Sequence, residues 1–199
     1  MNSKIISTLT LIILLAGSCV TPKNISNYYL QNQSTLDDIQ ESYSQLSRQG
    51  PFSIEFTDKT FNHVSIEIFT DTVKYIYEFG VTEKRMADTL IKYKLPAESL
   101  QALVLKMQMV HCTWINNLDY YVGQQKEKMV FMSMRPKPLN IPFTNKKYYI
   151  LAYFAQPQYY NKDGILLDRR SRKRLRKINE DVFRRITDKV AYTLSDRYR

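Results

Sequence analysis

Glycine, histidine, cysteine and tryptophan are all scarce in this chain of 199 residues, with five, two, two and one copies. Five scattered glycines do not make a phosphate-cradling loop, and neither a serine-centred nucleophile elbow nor a zinc-protease helix occurs. His63 and His111 with Cys112 are too few ligands for a zinc site, so neither a metal nor another cofactor is expected. Long hydrophobic runs are also missing. The most apolar stretch, Ile5 to Leu15, falls short of the roughly 20 residues a membrane-spanning helix needs. Carboxylates are outnumbered, with 19 Asp and Glu against 29 Lys and Arg, which leaves a formal charge of +10.

What the N-terminus does hold is an address. Lys4, the apolar Ile5 to Leu15, and the small residues Ala16-Gly17-Ser18 before Cys19 have the three-part layout of a secretory signal peptide. Leu15-Ala16-Gly17-Ser18-Cys19 resembles the lipobox of bacterial lipoproteins, with Leu15 one place further from the cysteine than the usual aliphatic residue. The resemblance covers these first residues only. It implies cleavage before Cys19, diacylation and palmitate incorporation at Cys19, and a lipid-anchored location in the bacterial cell envelope, facing the periplasm. Residues 1–18 are then signal peptide, 19–33 a lipidated tether, and 34–199 a soluble domain with a basic C-terminal segment. Acyl chains contribute about 0.8 kcal/mol per buried CH₂, so two or three hold a domain at a bilayer. With Cys19 acylated, Cys112 has no partner for an intramolecular disulfide, and stability must come from an apolar core. The alternative is a secreted chain cut near Ser18, with Asn24-Ile25-Ser26 and Asn32-Gln33-Ser34 as sequons; paired cysteines would more often go with it.

The order of elements follows from periodicity. Val20 to Gln33 is polar, apart from Tyr28-Tyr29-Leu30, and reads as the tether. Ser34 or Thr35 can cap a helix bearing Leu36, Ile39, Tyr43 and Leu46 on one face, closed by Gly50-Pro51. Period-two alternation then predicts strands at Phe52 to Thr57, Val64 to Ile68 and Val73 to Phe79. Thr82 to Lys94 fits a charged helix or another strand. Leu100, Leu103, Val104, Met107, Val110, His111 and Trp114 form a helical stripe opened by Pro96. Further strands are expected at Leu118 to Gly123, Lys128 to Met134 and Tyr148 to Gln156. Pro136 to Pro142 is a loop or edge and Asn161 to Gly164 a hairpin turn. A final helix from Asn179 would bury Val182, Phe183, Ile186, Val190 and Leu194. The class is α+β: a single domain with antiparallel sheet of about six strands packed with about three helices. The order helix, three strands, helix, further strands hints at a doubled unit, without a residue-level repeat.

Candidate chemistry is dominated by charge. Arg169, Arg170, Arg172, Lys173, Arg174, Arg176 and Lys177 place seven cations in nine residues, and Asp168 to Arg199 carries 12 basic against five acidic residues. Such density suits an anionic partner: lipid headgroups, at about 1 kcal/mol per nearby cation, or an acidic protein. Export makes nucleic acid an unexpected partner. The bland reading is a solvated charged face. No catalytic residue is assigned. A Cys112–His111 pair cannot act alone on a helix, where neighbours point about 100° apart, although His63 could approach Cys112. Glu55, Glu67 and Glu78 could share a sheet face, as a glycosidase pair would require or as ordinary solvated residues do. Fifteen tyrosines, several in doublets, offer recognition area wherever one ring of a doublet is exposed. The expected function is therefore a non-catalytic binding role for an envelope lipoprotein. An anionic-lipid or polyanion module acting through Arg169 to Lys177, and a hydrolase with a carboxylate or Cys/His site, are the alternatives.

Overall fold

The computed structural model describes residues 22–122, 125–135, 148–167 and 182–195. The chain divides into two compact units, Met1–Gln31 and Asn32–Arg199. In the first, the described residues 22–31 are helical. They open helix α1, Pro22–Leu46, which continues into the second unit. The helix expected to start at Ser34 or Thr35 thus starts at Pro22. Pro22 occupies the first helical position, where a missing N–H costs nothing, and no glycine or proline follows until Gly50. Ile25 and Tyr29 extend the helical spacing of Leu36, Ile39 and Tyr43 upstream.

Among the described residues the second unit holds one antiparallel sheet of eight strands, against the six or so that the sequence suggests. They are β1 Phe52–Phe56, β2 His63–Phe69, β3 Lys74–Gly80, β4 Cys112–Val122, β5 Gln125–Met134, β6 Tyr148–Phe154, β7 Arg184–Arg185 and β8 Val190–Ser195. Their order is β3-β2-β1-β4-β5-β6-β8-β7. Two short helices, α2 Lys84–Lys92 and α3 Ala97–Met109, lie between β3 and β4 in sequence. The hint of a doubled unit is realised in the topology. A helix and three meandering strands, α1-β1-β2-β3, are followed by α3-β4-β5-β6, and the first strands of the two halves pair antiparallel at the centre, Ile54 opposite Ile115 and Glu55 opposite Trp114.

Register separates the faces. Phe52, Ile54 and Phe56 lie opposite Ile68, Ile66 and Val64, and this face continues through Ile115, Met132 and Leu151. The helices cover it. Tyr43 of α1 sets its ring against Phe52 at 5.0 Å and its hydroxyl donates 2.5 Å to the Phe52 carbonyl. Leu100, Leu103, Val104 and Met107 of α3 are fully buried. Lys106 and Asp38 link α3 to α1 at 2.7 Å, an exposed pair contributing under about 1 kcal/mol.

The opposite face is of two kinds. Across β1–β3 it is mostly polar, with Ser53, Glu55, Ser65, Glu67 and Glu78, and with Ile76 exposed opposite Glu67. Across β4–β8 it holds a second core of Trp114, Tyr120, Met129, Phe131, Tyr148, Ile150, Ala152, Phe154 and Ala191, roofed by Phe183 with Tyr160 and Leu166 against it. The roof includes the expected turn at Asn161–Gly164. The Asn161 side-chain oxygen accepts from the N–H groups of Asp163 and Ile165, and Gly164 takes φ +71°, a region where glycine carries no Cβ penalty.

Two helix assignments are corrected. The α3 stripe ends at Met109; His111 adopts φ +49°, and Cys112 begins β4, so His111 and Trp114 leave the helix. Within β4 the register shifts between Cys112 and Trp114, with Thr113 donating 2.8 Å to the Ser133 carbonyl. The C-terminal helix is instead the β7–β8 hairpin. Thr187 accepts from the N–H groups of Lys189 and Val190, and Ile186 N–H donates to Val190 O at 2.9 Å, closing a tight turn. Val190 to Thr193 are buried on both faces, so the segment carries an unbroken apolar run with β-branched and aromatic residues suited to a strand. Thr82 to Lys94 resolves as α2, with Met86 and Leu90 buried one turn apart. Pro136 to Pro142 lies outside the described residues.

Candidate functional site: a basic cleft beside the first helix

The sequence-derived candidates fall partly outside the described residues. Cys19 and the cationic run Arg169, Arg170, Arg172, Lys173, Arg174, Arg176 and Lys177 lie outside the described residues. Cys112 is completely buried; burial pushes its thiol up to about 12, and Sγ sits 3.4 Å from the Trp114 carbonyl. A thiol so placed is a poor nucleophile. His111 is half-buried with its ring edge-on to Phe61 at 5.2 Å. His63 is exposed at the start of β2, its Nδ1 3.9 Å from an Asp58 oxygen.

Glu55, Glu67 and Glu78 do share one sheet face. Glu55 and Glu78 both oppose Ser65 from either side, and Glu67 accepts from Ser53 and pairs with Lys74 at 3.3 Å. Two intervals of about 4.8 Å put the Glu55 and Glu78 backbones about 10 Å apart on an open pleated surface. This is the solvated arrangement that their alternation with apolar residues also fits. Among the described residues, no group of three or more His, Cys, Asp or Glu could hold a metal.

The tyrosine doublets divide by local cover. Tyr148 and Tyr149 are both buried, because helices cover one face of β6 and the roof covers the other. Tyr159 is exposed and Tyr160 half-buried under Arg185, whose guanidinium carbon lies 5.8 Å from its ring centre.

A concave surface lies elsewhere among the described residues. A cleft of about 600 Å³ opens between the C-terminal half of α1 and the far ends of β4, β5 and β6. Val130 and Tyr153, opposite each other in β5 and β6, form its apolar floor. The α1 wall presents Gln40, Ser44, Ser47 and Arg48; Asn117, Lys126, Glu127 and Lys128 close the strand side. Hydrogen bonds fix the polar groups. Gln40 Nε2 donates to Ser44 Oγ at 3.0 Å and Asn117 Nδ2 to Ser47 Oγ at 2.8 Å. Lys126 pairs with Asp119 at 2.8 Å, and Glu127 accepts from Gln156 Nε2 at 3.1 Å.

Three cations meet Glu127 in the lining and Asp119 beside Lys126, which leaves one positive charge in excess over an apolar floor and a row of hydroxyl and amide groups. That combination suits an anionic ligand held by charge and oriented by hydrogen bonds. Sequence reasoning missed it because Arg48 falls just after a helix while Lys126 and Lys128 alternate along a strand. Only the antiparallel pairing of Asn117 with Val130 and the seating of α1 over both bring them together. No described helix is long and apolar enough to cross a membrane. No protein-family model, curated protein or solved structure matches the chain.

Proposed function

We propose that the protein is a lipid-anchored binding protein of the bacterial envelope, held through Cys19, whose domain engages an acidic partner without chemical turnover. The observation that carries the binding role is the cleft beside α1, where Arg48, Lys126 and Lys128 flank a floor of Val130 and Tyr153. Support for the anchoring comes from the Leu15 to Cys19 segment. The burial of Cys112 and the open placement of the glutamates speak against the hydrolase alternative.

A second reading, contact with anionic lipid, is favoured by the seven cations among Arg169 to Lys177. The two separate in one binding experiment on the full-length protein in neutral detergent, using a fluorescent polyglutamate peptide and, in parallel, vesicles containing phosphatidylglycerol. The R48E/K128E variant should weaken peptide binding by about tenfold or more while leaving vesicle binding intact. Binding that ignores this double charge reversal, or does not weaken with added salt, overturns the cleft as the site. Anchoring is checked apart from binding: labelled palmitate should enter the wild type in bacterial cells and not the Cys19→Ala variant. Equal labelling of both refutes it.

A further inference from the structure

Among the described residues the sheet ends at β3, which has a strand on one side only. Along β2 the backbone alternates direction: Thr57 N–H donates to His63 O and Phe69 N–H to Pro51 O, so odd-numbered residues of β2 bond to β1. Val81 N–H donates to Asn62 O and Thr70 N–H to Val73 O, so even-numbered residues bond to β3. It follows from the register that Tyr75, Tyr77 and Phe79 turn their backbone groups inward, while Lys74, Ile76, Glu78 and Gly80 turn theirs outward.

Two of those outward groups confirm the direction, since Gly80 N–H is held by the Glu83 carboxylate at 3.0 Å and Glu78 O by the Arg85 guanidinium at 3.1 Å. The rest of the edge, from Lys74 to the Glu78 N–H, has no strand beside it among the described residues. Its side chains are unusually apolar for such a position: Val73 is 47%, Tyr75 39% and Ile76 55% exposed. An edge strand with open backbone groups and exposed apolar side chains is a template for another strand.

We infer that β3 pairs with β3 of a second copy of this chain, antiparallel about a two-fold axis at Ile76, joining two eight-stranded sheets into one. The occupant follows from self-complementarity. In this register Ile76 meets its own copy as a mutually hydrogen-bonded pair, and Lys74 stands opposite the other copy's Glu78 twice. All these positions carry outward-facing backbone. Tyr75 then faces the second Tyr77 across a close, non-hydrogen-bonded pair, where aromatic cross-strand contacts are favourable. A lysine on an edge opposes pairing with an arbitrary strand. Lys74 already lies 3.3 Å from Glu67 of its own sheet, and the second copy's Glu78 joins that pair only when the strands run antiparallel in this one register, so the charges favour this pairing over shifted ones. The proposal stands apart from the cleft, which lies on the far side of β1 and β4.

Sedimentation equilibrium of the full-length protein in density-matched detergent tests it by a charge exchange. The wild type should be a dimer at micromolar to submillimolar concentration. Lys74→Glu or Glu78→Lys alone places like charges opposite each other twice and should raise the dissociation constant by more than about tenfold. The double exchange K74E/E78K restores opposite charges and should recover the dimer, a rescue that general damage to the fold would not produce. A wild type that stays monomeric overturns the inference. So does a dimer indifferent to the single exchanges, or a double exchange as weak as the singles.

Discussion

Phe183 and Val182 are neighbours with opposite fates, and their difference tests how the C-terminal segment is folded. Phe183 is 3% exposed and roofs the cluster around Trp114, Phe131 and Ile150, whereas Val182 is 56% exposed. Burying a phenylalanine removes about 200 Å² from water, worth roughly 5 kcal/mol at 25 cal/mol per Å², an upper figure because the unfolded chain is itself partly collapsed. Phe183→Ala should therefore cost about 3–5 kcal/mol once the cavity is included. Val182→Ala removes two methyl groups that already face water and should cost under about 0.5 kcal/mol. Urea unfolding followed by tryptophan fluorescence is the natural assay, since Trp114 is the one tryptophan and lies in the same cluster. With a slope near 2 kcal/mol per molar, the Phe183→Ala midpoint should fall by about 1.5–2.5 M while that of Val182→Ala barely moves. In a helix running from Asn179, both side chains would face the core. Equal losses from the two substitutions would therefore refute the hairpin and its roof.

Further outcomes follow from two buried or hydrogen-bonded acids. Asp58 is opposed by burial, yet hydrogen bonds from Thr60 and from the His63 and Asn62 backbone N–H groups bring its carboxyl down to about 2 from 3.8. A depressed folded-state value stabilises the protein above the unfolded value and loses that contribution as pH falls through the folded one. With the side chain 25% exposed, about 1–2 kcal/mol should disappear between pH about 4 and about 2. Asp58→Asn should flatten that part of the stability–pH curve; an unchanged curve would refute the loop geometry. Cys112, buried with its thiol raised to about 12, should resist iodoacetamide at pH 8 in the folded protein and react once urea unfolds it. Labelling of Cys112 at a free-thiol rate without denaturant would show that β4 opens locally.

The sequence by itself determined the parts whose signal is local. Alternation at Phe52 to Phe56, Val64 to Ile68 and Tyr75 to Phe79 identified three strands, and the spacing of Leu100, Leu103, Val104 and Met107 identified the core face of α3. Asn161 to Gly164 identified its own turn, because the amide side chain and the glycine supply the bonds and the positive φ that the turn needs. The shared face of Glu55, Glu67 and Glu78 was legible for the same reason, since a period of two fixes which side a strand residue takes.

Local signals failed where the environment decides. Val182, Phe183, Ile186, Val190 and Leu194 carry helical spacing, yet β6 stands beside β8 and the sheet is covered on both faces there, so tertiary pairing overrides the period. His111 and Trp114 continue a helical stripe on paper, but the chain turns through φ +49° at His111 and joins the sheet. The basic cleft and the self-complementary edge depend on strand order. Arg48, Lys126 and Lys128 converge only because the end of α1 meets β4 and β5, and among the described residues Lys74, Ile76 and Glu78 lie on an outer edge only because β3 ends the sheet. A sequence states what each strand would bury, whereas which strand finishes last in the order, and so which backbone remains open, is settled by the packing of the whole.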